Sequence, residues 1–187
     1  MKNILIIVSH PKENSFSFAM ANRYKDNRVA KGYNVEMIDL YRDSHQQPFF
    51  TYEDNASKPT EDASMKYYQS KITWADEIVF VFPYWWGSFP AILKNFIDWN
   101  FSSGFAFTYV NSRPKGLLNS KTVKVFTTTG APKFIYTITG ANRRLKNTIK
   151  SQIVSFCGMK LNGFYIYGGV DTNTKNTDKI LESIKTL

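Results

Sequence analysis

Asn3-Ile4-Leu5-Ile6-Ile7-Val8, succeeded at once by Ser9-His10-Pro11, is an unbroken apolar and β-branched run that ends in polar and turn residues. A strand that is apolar at every position, rather than at alternate ones, is buried on both faces, as strands inside parallel sheets are. The next thirty residues complete the unit. Asn14 or Ser15 can cap a helix over 16–31, Gly32 stops it, and 33–40 alternates into a second strand. The opening is therefore read as a βαβ unit.

The same alternation continues along the chain. A polar and aromatic stretch, 41–60, has no clear period and reads as a long connection over the surface. A helix is predicted over 61–75, with Thr60 available as its cap, and the apolar run 78–82 gives a third strand. Pro90 opens a helix to about Asn100, 122–129 is a fourth strand, 144–157 a helix stopped by Gly158, 161–167 a fifth strand and 178–187 a last helix. Alternating strands and helices imply an α/β three-layer sandwich with right-handed crossovers, and five strands fit the flavodoxin-like parallel order 2-1-3-4-5. Ligands of such sheets sit beyond the carboxyl ends of the strands, at the switch point between the first and third.

Composition narrows the function. At 187 residues the chain suits a single domain, 1–187, with one sizeable core, and its 43% hydrophobic and 21% charged residues are ordinary globular values. The first strand is too short for a signal core or a membrane span, so a cytoplasmic protein without membrane insertion is expected. One cysteine, Cys157, excludes an internal disulfide and multi-cysteine metal centres, and no metal is expected. The net charge of +9 favours anionic partners. Its lysines and arginines are scattered, apart from Arg143, Arg144, Lys146 and Lys150, and no nucleic-acid signature is present. The 16% aromatic content is the more informative departure, since aromatic walls hold flat ligands.

Three strand-end loops carry the candidates. The first offers Ser9, His10, Asn14, Ser15 and Ser17 beside the free amides of a helix N-terminus, a setting that binds phosphate, although Asn14 or Ser15 could be only a cap. It has the glycines of neither a dinucleotide fingerprint nor a P-loop. The second, Pro83-Tyr84-Trp85-Trp86-Gly87-Ser88, sets two tryptophans at the end of a central strand, where they either pack in the core or line a cleft. The third, Thr127-Thr128-Thr129-Gly130-Ala131, has a glycine that permits positive φ or a close approach of backbone to ligand, and Tyr136 and Asn142 bracket Gly140 beyond it.

In combination, Pro83-Tyr84-Trp85-Trp86, Pro90-Ala91-Ile92-Leu93-Lys94, Gly104-Phe105-Ala106-Phe107 and Thr128-Thr129-Gly130 resemble the NAD(P)H:quinone oxidoreductases and the related modulator-of-drug-activity and flavodoxin-2-type reductases. The resemblance runs in order from the first strand to the fifth. It implies that His10, Ser15, Phe16 and Ser17 hold a flavin's phosphate region, that Pro83, Tyr84, Trp85 and Trp86 contact its ring system, and that Thr128, Thr129 and Gly130 complete the site. Tyr136 matches the family tyrosine beside the ring. Where well-known members carry a histidine, this chain has Asn142, a departure at the position that handles a proton.

The activity implied is ping-pong transfer of hydride from NADPH or NADH, through FAD or alternatively FMN, to a quinone-like acceptor, with Tyr136 and Asn142 as the catalytic pair. A homodimer is implied as well, since the aromatic segment 99–109 is more apolar than an exposed connection should be. Two other readings stay open at this point: a flavodoxin-like electron carrier, against which the basic charge argues, and a regulatory flavoprotein subunit of a transporter.

Overall fold

A computed structural model describes residues 1–51, 53–54, 56, 59–170 and 177–187. Its main sheet has five parallel strands, β1 (Asn3–Val8), β2 (Asn34–Asp39), β3 (Glu77–Pro83), β6 (Thr122–Thr129) and β7 (Lys160–Gly168), in the order β2-β1-β3-β6-β7. Numbered within this sheet alone, the strands take the expected 2-1-3-4-5 order. A two-stranded antiparallel ribbon, β4 (Phe107–Val110) and β5 (Arg113–Gly116), lies apart from it.

Strand periodicity divides the core in two. Leu5, Ile7, Phe80, Phe82 and Val125 pack on one face beneath α2 (Ala63–Trp74) and α3 (Ala91–Asn100), while Ile4, Ile6, Val8, Val79, Val81 and Phe126 pack on the other. That second face is covered by α1 (Phe16–Ala30) and α6 (Thr177–Ile184). Both faces of β1 and β3 are thus buried, which is why their sequences are apolar at nearly every position. The pairings Val8 with Val81 and Pro83 with Thr128 bring the carboxyl ends of β1, β3 and β6 level.

The other end of the sheet is polar inside. Tyr24 of α1 donates to Glu77 Oε1 at 2.5 Å, Lys124 Nζ donates to the Tyr24 hydroxyl at 2.8 Å, and Lys2 Nζ donates to Glu77 Oε2 at 3.0 Å. Burial alone would raise the Glu77 carboxyl. The Tyr24 hydrogen bond and the Lys124 and Lys2 charges outweigh it and hold Glu77 below the ordinary carboxylate range.

The structure departs from the elements expected from sequence at one helix cap, one helix start and two unexpected elements. The helix expected over 61–75 is α2, capped by Asp62, whose Oδ1 accepts from Met65 N at 2.7 Å, and not by Thr60. Aspartate is the stronger N-cap acceptor of the two. The helix expected over 144–157 begins earlier, as α5 (Ala141–Asn147), and then widens into a π-helical stretch, Thr148–Val154. A five-residue bond, Ser155 N to Lys150 O at 2.8 Å, marks the wider turn, and no residue pattern announces it. The β4–β5 ribbon and the short α4 (Lys133–Ile138) have no counterpart in the sequence reading. The ribbon turns through Asn111 and Ser112, both at positive φ, where glycine would have been the signal. Within the connection 41–60, residues 52, 55, 57 and 58 lie outside the described ones.

Candidate functional site

Ser15 starts the site. Its backbone is extended, and its hydroxyl accepts from Phe18 N at 3.4 Å, the arrangement of an N-cap. The first-turn amides of Phe16 and Ser17 have no intrahelical acceptor and stand at the wall of a cleft of about 910 Å³, near the top of the range of small-molecule sites. His10, Lys12, Asn14 and Ser15 line the same wall. His10 Nδ1 lies 3.0 Å from Lys12 N, which donates to it. Burial lowers the His10 pKa from 6.5, with the Lys12 and Arg42 charges acting the same way against a hydrogen bond to the Lys12 backbone. The imidazole therefore favours its neutral form.

Pro83, Tyr84 and Trp85 form the second wall, with the His10 and Trp85 rings 5.5 Å apart. This loop is a two-residue turn: Trp85 and Ser88 exchange backbone hydrogen bonds at 3.0 and 2.9 Å, and Trp86 (φ 50°) and Gly87 (φ 78°) occupy the left-handed positions between them. Glycine suits that region. Trp86 does not, and its side chain stands fully in solvent, outside the cleft lining.

Thr128 and Gly130 close the third side. Tyr84 N donates to Thr128 O at 2.8 Å, locking the second loop to the third. Gly130 is not at positive φ, and a Cβ placed on it meets no protein atom within 4 Å. Its lack of a side chain keeps that wall open to a ligand. Thr129 is buried and spends its hydroxyl on Ala131 O at 2.8 Å, so it shapes the loop from behind.

Tyr136 and Asn142 also lie outside the cleft lining. The Tyr136 ring is 5.3 Å from that of Tyr84, whose hydroxyl donates to Ala141 O at 3.1 Å, and Asn142 Nδ2 donates to Thr137 Oγ1 at 3.2 Å. Burial raises the Tyr84 phenol, Arg144 opposes that, and Tyr136 adds to it. The structure thus gathers nine of the predicted residues around one cleft: His10, Ser15, Phe16 and Ser17; Pro83, Tyr84 and Trp85; Thr128 and Gly130. Sequence reasoning missed Ala19, Val170, Thr177 and Leu181, which line the part of the cleft beside α1 and α6. Their place depends on how the last helix docks, which no local pattern encodes.

The donor set fits a flavin: amides, hydroxyls and a lysine for phosphate, an aromatic wall, and a glycine gap for a flat ring. A second cavity of about 310 Å³, walled by Phe50, Phe101, Phe107 and Phe156 near Asp98, has no such phosphate-binding end.

A family model, Flavodoxin-2, described as a flavodoxin-like fold, matches residues 2–187. An uncharacterized NAD(P)H oxidoreductase of Haemophilus influenzae is 33% identical over 171 residues, which is 90% of this chain and 84% of that protein. NAD(P)H dehydrogenase (quinone) 1 of Rattus norvegicus is 27% identical over 183 residues, and the match spans 86% of this chain but 66% of the rat protein. The solved structure of an NAD(P)H:quinone oxidoreductase from Methanothermobacter marburgensis overlays with a TM-score of 0.84 at 21% identity, covering 99% of this chain and 94% of that one, which shows the fold.

Proposed function

Because this chain belongs to the Flavodoxin-2 family, we propose that it is a flavin-dependent NAD(P)H oxidoreductase that passes a hydride to a quinone or similar electrophile in ping-pong order. The observation that carries this reading is the meeting of helix N-terminal amides, the His10–Trp85 aromatic wall and Gly130 in one cleft at the ends of β1, β3 and β6. A flavin bound there would supply the redox chemistry between NAD(P)H and the acceptor.

The chain's own residues bind and orient. Ser15 Oγ fixes the first turn of α1, so that the Phe16 and Ser17 amides, with Lys12 and the neutral His10, receive phosphate. Tyr84 and Trp85 offer the aromatic face, and Thr128 and Gly130 set the depth of the ring. Tyr136, carried beside the Tyr84 ring, would serve as hydrogen-bond donor to negative charge at the edge of a bound flavin, and Asn142 would donate without titrating. Thr129 braces the third loop from behind through its hydrogen bond to Ala131 O, while Trp86 stands in solvent at the turn of the second.

FAD is preferred over FMN because the cleft, about 910 Å³, takes in Ala19, Val170, Thr177 and Leu181 as well as the phosphate-binding turn, which leaves room for a second nucleotide half. The same reading takes 1–187 as one cytoplasmic domain and the working form as a homodimer. Support for assembly comes from large apolar side chains that one copy leaves in water, among them Tyr109 and Val110 at the tip of the ribbon. Phe105 and Phe107 are half-buried, with Phe107 against Phe156 at 4.8 Å, so the tip rather than their rings is the surface offered.

The deciding experiment is to release and weigh the ligand of purified protein, then follow NADPH oxidation with a soluble quinone. A yellow protein that yields FAD and turns over the quinone is expected. Protein that stays colourless after incubation with FAD and with FMN rejects the reading.

A further inference from the structure

The geometry points to Arg42 as a positioning residue that fastens the phosphate-binding loop between β1 and α1 to the end of β2, an assignment that rests on the proposed function. Its guanidinium meets three acceptors from two parts of the chain. Nη1 donates to Asp39 Oδ2 at 2.7 Å, Nε pairs with Glu13 Oε1 at 3.0 Å, and Nη2 donates to the carbonyl of Pro11. The guanidinium carbon also lies 5.9 Å from the centre of the Phe18 ring, in the first turn of α1. Asp39 is itself held, since its Oδ1 accepts from Tyr41 N at 3.0 Å.

The loop needs such a fastening. Phosphate loops built on glycine take their shape from left-handed backbone, but residues 9–15 contain no glycine and no residue at positive φ. Their internal restraint is slight: Ser15 N to Lys12 O at 3.2 Å, and Lys12 N to His10 Nδ1 at 3.0 Å. At the start of the loop Ser9 N is held by Val81 O at 3.0 Å, and Arg42 supplies the external restraint on residues 11–13. A planar fork can hold three acceptors in fixed directions, whereas a lysine ammonium on a flexible stem cannot reproduce that pattern. As an ion pair with its side chain about one-third exposed, Arg42 contributes little to global stability. What it changes is how much ordering the loop must undergo when an anion binds.

The test compares the parent chain with Arg42→Ala and Arg42→Lys by two readouts: hydrogen exchange of the flavin-free protein, and titration with FAD and FMN, which share the phosphate. For Arg42→Ala, faster exchange is expected at the amides of residues 12–18 with none in β6, together with flavin dissociation constants raised roughly tenfold. Arg42→Lys should recover part of the affinity while the loop stays fast. A residue that serves only overall stability would lower the unfolding temperature and leave both readouts at the parental values, and that outcome overturns the assignment. So does a full recovery of both by Arg42→Lys, which would reduce the role to charge. A parent that binds neither flavin overturns the proposed function and this assignment with it, whereas flavin binding of equal strength by parent and Arg42→Ala overturns this assignment alone.

Discussion

The Tyr84 hydroxyl donates to the carbonyl of Ala141 across 3.1 Å, tying the aromatic loop after β3 to the first residue of α5. Tyr84 is also held through its backbone to Thr128, so one residue spans two walls of the cleft and the segment that bears Tyr136 and Asn142. Removing the hydroxyl frees the α5 end without opening a cavity. Tyr84→Phe should weaken flavin binding roughly five- to tenfold, the scale of one lost hydrogen bond of ~1 kcal/mol. Fluorescence titration reads this directly, and an unchanged dissociation constant would show that the bond does not order the site.

The cleft beyond Ala19 should distinguish the two flavins. Leu181 of α6 lines that end and also packs on the core face below it. Leu181→Ala should weaken FAD binding roughly three- to tenfold by loss of apolar contact, while FMN affinity stays within about twofold. Any general destabilisation moves both ligands together, so the ratio isolates the effect. Equal losses for FAD and FMN would place the nucleotide end elsewhere.

His10 gives a dependence on acid. Its folded pKa lies below its ordinary 6.5, burial being the largest cause. The unfolded chain therefore binds a proton more readily than the folded one. The contribution of neutral His10 to stability is complete above pH 6.5 and is lost as pH falls through the lowered folded value. Thermal unfolding from pH 8 to pH 5 should show the parent losing more stability than His10→Asn. Parallel curves for the two would mean that His10 does not sense its burial.

Glu77 sits at the opposite end of the sheet, with 2% of its side chain exposed beside Lys124. Glu77→Gln keeps an acceptor for Tyr24 but leaves Lys124 without a compensating charge, a change that costs about 3 kcal/mol in comparable buried pairs. Denaturant unfolding should register that loss while flavin affinity stays parental. A stable Glu77→Gln would show that Lys124 sheds its proton cheaply, in keeping with the burial that already lowers its pKa.

The contrast between these residues explains what sequence could convey. β1 and β3 are readable because burial on both faces forces apolar residues into consecutive positions, and Ser15 because a cap needs a specific acceptor. Trp85 and Gly130 are readable as residues of the cleft lining from their places just beyond strand ends. Trp86 is not, because its left-handed backbone sends a large ring into water, against what its composition suggests. Arg42 and Leu181 carry no local signal either, since each acquires its role from partners that are distant in sequence. Thr60 is the cap that the sequence suggests for α2, and it is the folded backbone that gives the role instead to Asp62, two positions on.

Tyr136 in α4 and Asn142 in α5 stand outside the cleft lining. Tyr136 reaches the site through its contact with Tyr84, and Asn142 is turned towards Thr137 by a 3.2 Å hydrogen bond. A phenol aimed at developing negative charge stabilises it, so Tyr136→Phe should slow flavin reduction by NAD(P)H roughly tenfold, equivalent to ~1.4 kcal/mol. Asparagine can donate a hydrogen bond but has no proton to give near neutrality, whereas imidazole ordinarily titrates at about 6.5. Asn142→His should therefore introduce an ionisation between about pH 5 and 8 that the parent lacks. Stopped-flow reduction across that range measures both effects. If the Asn142→His profile overlays the parent's, position 142 handles no proton, and if Tyr136→Phe reduces at the parental rate, the phenol does not meet the developing charge.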